Sequence, residues 1–260
     1  MTPITALHTA ARRYCRTRHD YYWNRHTTES HREQDEVARY IFLSGALLQI
    51  ERHTPSDFAT LAELQNALFD IAKDGDSDES RILRQYIINL SPSDLATIEP
   101  LPYRRILTPS EHTQIESQLK QRWGIDGHWH PFMGTEPPPD VLAFHTDFFD
   151  DQMAMILRTL LGANGVDRLL ELRWSVACEL DLALFNPRFE SSGDSDILYG
   201  AGQEAFWTNS AYEFLVHASH ESSITITGDW LLPAFEREVP QCRNHTYRGP
   251  IPTPDQRGTC

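Results

Sequence analysis

The sequence predicts an α+β protein in which an N-terminal helical bundle is followed by a mixed, mainly antiparallel sheet with two or three flanking helices. Three observations lead there. Apolar residues recur at helical spacing through the first hundred residues, as the inward face of a packed helix requires. Prolines crowd the stretch from Ser91-Pro92 to Pro100-Leu101-Pro102, and each removes a backbone donor and disfavours helix in the residue before it. From Arg168 onward the apolar period falls to two, so that alternate side chains share one side of a strand. Together these place a helical domain over residues 1–100, an α+β domain over 101–248 and an extended tail over 249–260.

In chain order, Leu7, Ala11, Tyr14, Arg18 and Tyr21 keep helical spacing up to a polar, His-rich break from Asn24 to Ser30, which is itself compatible with helix. Val37, Tyr40, Ile41, Ser44, Leu47 and Leu48 form a second stripe. Thr54-Pro55-Ser56-Asp57 is a helix-start signal for a third stripe, Leu61, Leu64, Leu68 and Ile71, which stops at Lys73-Asp74-Gly75. Asp76, Ser77, Asp78 and Glu79 then lead a fourth helix through Ile82, Leu83, Tyr86, Ile87 and Leu90, since negative charge suits a helix N-terminus. Past the proline-rich border, Thr108-Pro109-Ser110-Glu111 is a capping box for a helix through Ile115, Leu119 and Trp123 that ends at Gly124. Segments 128–132 and 141–145 read as strands either side of Pro137-Pro138-Pro139, and Asp150-Asp151 starts a helix closed at Gly162.

Alternation then marks strands over Val176 to Phe185, Tyr212 to His217, and Ile224 to Ile226, with a short helix at Trp230, Leu231 and Phe235.

Charge narrows the functional classes. The chain carries 37 acidic residues against 23 basic ones, a net −14, which repels phosphate backbones and anionic lipid heads and argues against nucleic acid as a partner. The imbalance is concentrated late: residues 101–260 hold 22 acids and 12 bases, residues 1–100 hold 15 and 11. No stretch is apolar enough for a membrane span or a signal peptide, and the four cysteines are scattered without a CxxC, so a cytoplasmic protein with free thiols is expected. The Arg- and Tyr-rich stretch from Arg12 to Arg25 could stack a nucleic-acid strand, but a helix face pairing its arginines with the surplus carboxylates fits the charge balance better.

Candidate chemistry gathers in two places. His217-Ala218-Ser219-His220-Glu221-Ser222-Ser223 supplies nucleophile, base and carboxylate types in Ser219, His220 and Glu221. Residues adjacent in sequence seldom face one another across a turn, so a polar hairpin bonding its own backbone is the competing reading. His128, His130, His145 and Asp147 could contribute to a three-ligand metal site with an open position, although their spacing matches no established metal fingerprint. No glycine-rich phosphate cradle is present, and no cofactor is expected.

The function expected from these features is that of an intracellular protein-binding module, of the immunity or antitoxin type, that inhibits a basic partner protein. Its candidate surface is Asp147, Asp150, Asp151, Glu190, Asp194, Asp196 and Glu221, with Trp207 and Trp230 as aromatic anchors. The alternative is a metal-assisted hydrolase using the His/Asp/Glu cluster of the C-terminal domain, in which Glu221 acts as base on a metal-bound water.

Overall fold

A computed structural model describes residues 1–28, 34–73, 78–124, 141–173, 176–187, 204–219 and 223–247. N-terminal helices precede a seven-stranded sheet with flanking helices, a mixed α+β architecture. The chain forms two compact units, one spanning Met1–Thr108 and the other beginning at Pro109. Among the described residues no helix is long and apolar enough to cross a membrane.

The first unit contains α1 (Pro3–Thr28), α2 (Gln34–Glu51), α3 (Leu61–Lys73), α4 (Asp78–Asn89), the short α5 (Pro92–Thr97) and strand β1 (Arg104–Ile106). Leu7 and Ala11 of α1, Leu64 and Leu68 of α3, and Leu83 and Ile87 of α4 are buried as their stripes predict, whereas α2 buries Leu43, Ala46, Leu47 and Ile50, so that of its expected stripe only Leu47 is in the core and Ile41 is 61% exposed. The polar break after Asn24 does not end the first helix, which runs on to Thr28. Ser91-Pro92, at the head of the proline-rich stretch, opens α5: Ser91 Oγ accepts from the Asp94 backbone N–H, and proline occupies a first-turn position where no N–H is needed.

Arginines of α1 turn inward. Arg12 donates to Glu51 Oε1 through Nε at 3.0 Å and Nη2 at 2.8 Å, and to the Pro102 carbonyl at 3.1 Å. Arg104 of β1 places Nε 3.8 Å from the other oxygen of Glu51. One turn and a half further along α1, Arg18 forks onto the fully buried Glu79 of α4, which also accepts from Tyr14 at 2.6 Å and Tyr22 at 3.2 Å. Arg25 pairs with Glu36 at 3.3 Å. Arg12, Arg18, Arg25, Tyr14 and Tyr22 of this helix are thus engaged with carboxylates of their own unit, with Arg12 buried rather than on a solvated face.

The second unit is organised by β2 (Val141–His145), β3 (Arg168–Arg173), β4 (Ala177–Asp181), β5 (Ala205–Thr208), β6 (Phe214–Ser219) and β7 (Ser223–Gly228), with α6 (Pro109–Trp123), α7 (Asp151–Ala163) and α8 (Leu231–Glu238). Strand order within this unit is β4-β3-β5-β6-β7-β2, and every one of these pairings is antiparallel. The alternation expected to continue to Phe185 stops at Asp181, and Leu182–Leu184 form a single 3₁₀ turn. There the Leu182 N–H bonds the Asp167 carbonyl at 2.9 Å, which swings Phe185 into the core edge-on to Trp207. At the outer edge, the chain after α8 returns along β2, where the Tyr247 N–H donates to the Ala143 carbonyl at 2.7 Å and Thr246 bridges Phe144.

Register separates the two faces of the sheet. One carries Glu171, Cys178, Trp207, Val216, Ile226 and Leu142, and its next row ends in Phe144, whose ring lies 5.7 Å from Phe235 of α8. The other carries Leu172, Phe206, His217, Thr225 and Ala143. Gly228 closes β7 at φ 131°, and a Cβ there would stand 2.7 Å from Phe214 Cβ and 2.9 Å from the Glu213 carbonyl oxygen. Gly228→Ala is therefore expected to lose about 2–3 kcal/mol in denaturant unfolding, through strain at a backbone angle that side-chain-bearing residues avoid. A loss within error of zero would mean the strand end relaxes freely.

Candidate functional site

Two clusters of polar side chains stand out in the second unit, and each is set by the local fold. The first is the turn between β2 and α7. Phe148 and Phe149 donate backbone N–H bonds to the carbonyls of His145 and Thr146, both at 3.0 Å, which folds the chain back immediately after the strand. Phe149 is buried and its ring stacks near Phe235 at 6.2 Å, while Phe148 lies flat against His245 at 4.2 Å. With the two phenylalanines turned to the protein, the acids that flank them turn to solvent: the Asp147 side chain is 89% exposed, and its carboxylate sits 3.2 Å from His145 Nδ1. Asp150 caps α7 by accepting from the Met153 N–H at 3.0 Å, and the exposed Asp151 opens the helix. Met155, four residues on and so on the same helix face as Asp151, is 60% exposed.

The second cluster lies on the sheet face opposite α8. The pairing Ala205↔Ala218 brings Glu204, just before β5, across from Ser219 at the end of β6. Ser219 Oγ donates to Glu204 Oε1 at 3.2 Å, and His217 Nε2 lies 3.8 Å from the same oxygen. The His217 ring is fully buried and stacks on Phe206 at 4.2 Å with the planes 9° apart. Ser223 is opposite Ser219 and Thr225 opposite His217, so four polar side chains share two adjacent rows with the carboxylate.

These positions bear unevenly on the residues singled out in the sequence. Asp147, Asp150 and Asp151 come together on one turn, and His145 joins Asp147. Ser219 meets a carboxylate, but that carboxylate is Glu204, which nothing local in the sequence marks. Trp207 is not a surface anchor: it is 1% exposed, and its indole N–H donates to Glu171 at 2.7 Å within the core. Trp230 is half-buried, edge-on to Phe214. His128, His130, Glu190, Asp194, Asp196, His220 and Glu221 lie outside the described residues. Among the described residues no three His, Cys, Asp or Glu side chains gather as a metal would need.

Buried titratable groups elsewhere serve the fold. Burial lowers the pKa of His8, whose Nε2 lies 3.2 Å and 3.0 Å from the carbonyls of Ile50 and His53 at the end of α2. Burial likewise raises the Cys15 and Cys242 thiols, leaving both as inert protonated groups at neutral pH. Set against protein-family models, curated proteins and solved structures, the chain matches none, and its function is to be read from its own geometry.

Proposed function

We propose that this protein is a cytoplasmic binding module, of the immunity or antitoxin type, that docks a positively charged protein through the acidic turn Asp147–Asp151 and the adjoining face of α7. The observation that carries this reading is the anchoring of that turn. Phe149 in the core, Phe148 on His245 and the Asp150 cap hold the backbone of the turn, which lowers the ordering cost at binding. Met155 beside Asp151 adds an exposed, adaptable apolar contact to the charged rim. In the first unit, by contrast, Glu51 and Glu79 are enclosed by arginines and offer nothing to a partner.

Charge complementarity of this kind acts chiefly on the association rate and is screened by salt. The test is affinity capture from native lysate with the wild-type chain and with an Asp147→Lys/Asp151→Lys double variant, Asp150 being left in place to cap α7. The expected result is a basic protein retained at low salt by the wild type, released at high salt, and lost from the variant while its melting temperature holds. Recovery of the same proteins by both chains, or of no basic protein at all, would overturn the reading.

A further inference from the structure

We propose that Ser219 and Glu204 form a hydrolytic dyad for small carboxylic esters, on the face of the sheet opposite α8, in the row that runs through Ser223 to His145. A serine hydroxyl becomes a nucleophile when a base accepts its proton, and here the acceptor is already in contact: Ser219 Oγ donates to Glu204 Oε1 at 3.2 Å. Ser219 ends the paired strand β6, and Glu204 immediately precedes β5, whose first pair is Ala205↔Ala218. A second observation points to a ligand. Thr225 is fully buried, yet its hydroxyl has no hydrogen-bond partner. A buried hydroxyl left unbonded destabilises a fold, and such groups survive where something else uses them. Thr225 stands on the same face, opposite His217 and one row from Ser219, and offers one O–H donor to an oxygen of a bound substrate.

In the first step Ser219 Oγ bonds to the acyl carbon as its proton passes to Glu204. The ester C–O bond then breaks, and the departing alkoxide takes that proton, leaving an acyl-serine and an ionised carboxylate. Water adds to the acyl-serine, giving a proton to Glu204. Cleavage of the serine ester returns the proton to Ser219 Oγ and frees the acid.

The experiment treats the purified full chain with an alkyl fluorophosphonate and reads the adduct by intact mass and peptide mapping. A single adduct on Ser219 is expected, absent from Ser219→Ala and formed at least about 100-fold more slowly by Glu204→Gln, the factor typical of a lost general base. Thr225→Val keeps the shape and removes only the unbonded hydroxyl. It is expected to label and to turn over p-nitrophenyl acetate about 10-fold more slowly or worse, while its melting temperature stays level or rises. A folded wild-type chain that gains no adduct on Ser219, or a Glu204→Gln chain that labels at the wild-type rate, overturns the dyad. Ser219→Ala should still capture the basic partner proposed above, so failure of either idea leaves the other standing.

Discussion

Glu51→Gln is expected to destabilise the first unit by about 3–5 kcal/mol, the penalty typical of removing one partner from a buried ion pair. The pair is well enclosed, with the Arg12 and Glu51 side chains 10% and 3% exposed. Glu51 receives two bonds of the Arg12 fork on one oxygen and faces Arg104 with the other. Glutamine would keep one acceptor but turn an amide donor toward guanidinium donors, leaving buried positive charge without its counter-ion. Because the same arginine also bonds the Pro102 carbonyl, the change loosens α1, α2 and the segment leading into β1 together. Urea unfolding reads the effect, and a loss below about 1 kcal/mol, the value of an exposed pair, would show that the site admits water. Replacing Arg12, Glu51 and Arg104 jointly by apolar residues of similar volume should cost far less, since no charge is then stranded.

Loss of Glu79 comes next in size, and it carries a pH signature. Burial alone would push its carboxyl up, but the hydrogen bonds from Arg18, Tyr14 and Tyr22 outweigh burial and hold it below the ordinary value of 4.5. A carboxyl depressed by folding stabilises fully above its unfolded pKa, and that contribution disappears as pH falls through the folded one. Wild-type stability should therefore drop as the medium is acidified below 4.5, and Glu79→Gln should remove much of that slope. At neutral pH the variant is expected to lose about 3 kcal/mol, the low end for a broken buried pair, because Arg18 is 33% exposed and can be rehydrated. An unchanged acid limb in the variant's pH titration of stability would contradict the assignment. Tyr14, whose hydroxyl is held protonated by burial and by its bond to Glu79, should report the loss as altered fluorescence or near-ultraviolet dichroism.

What the residue pattern made legible follows from the range of the forces involved. Stripes such as Leu64, Leu68 and Ile71 predict α3 because helix periodicity and burial are both local. Caps at Asp150 and Ser91 are equally local. Strand β5, only four residues long, escaped notice because Ala205 to Thr208 are buried on both faces and show no alternation. That omission hid the polar cluster as well: Glu204 meets Ser219 solely through the register of β5 on β6. Trp207 misled for a related reason, since only the neighbouring strand supplies the carboxylate that lets an indole N–H be buried. Composition located the acidic surplus in the later residues, and the fold adds which three of those acids share one rigid turn.

The return of the chain along β2 bears on how the protein behaves when crowded or nicked. An open strand edge is a template on which another molecule can add its own strand, and successive additions grow a fibril. Residues Thr246 and Tyr247 occupy that template by taking up the backbone of Ala143 and Phe144. Proteolysis just ahead of Thr246 would strip this guard while sparing the sheet, turning a self-limiting molecule into one prone to end-on self-association.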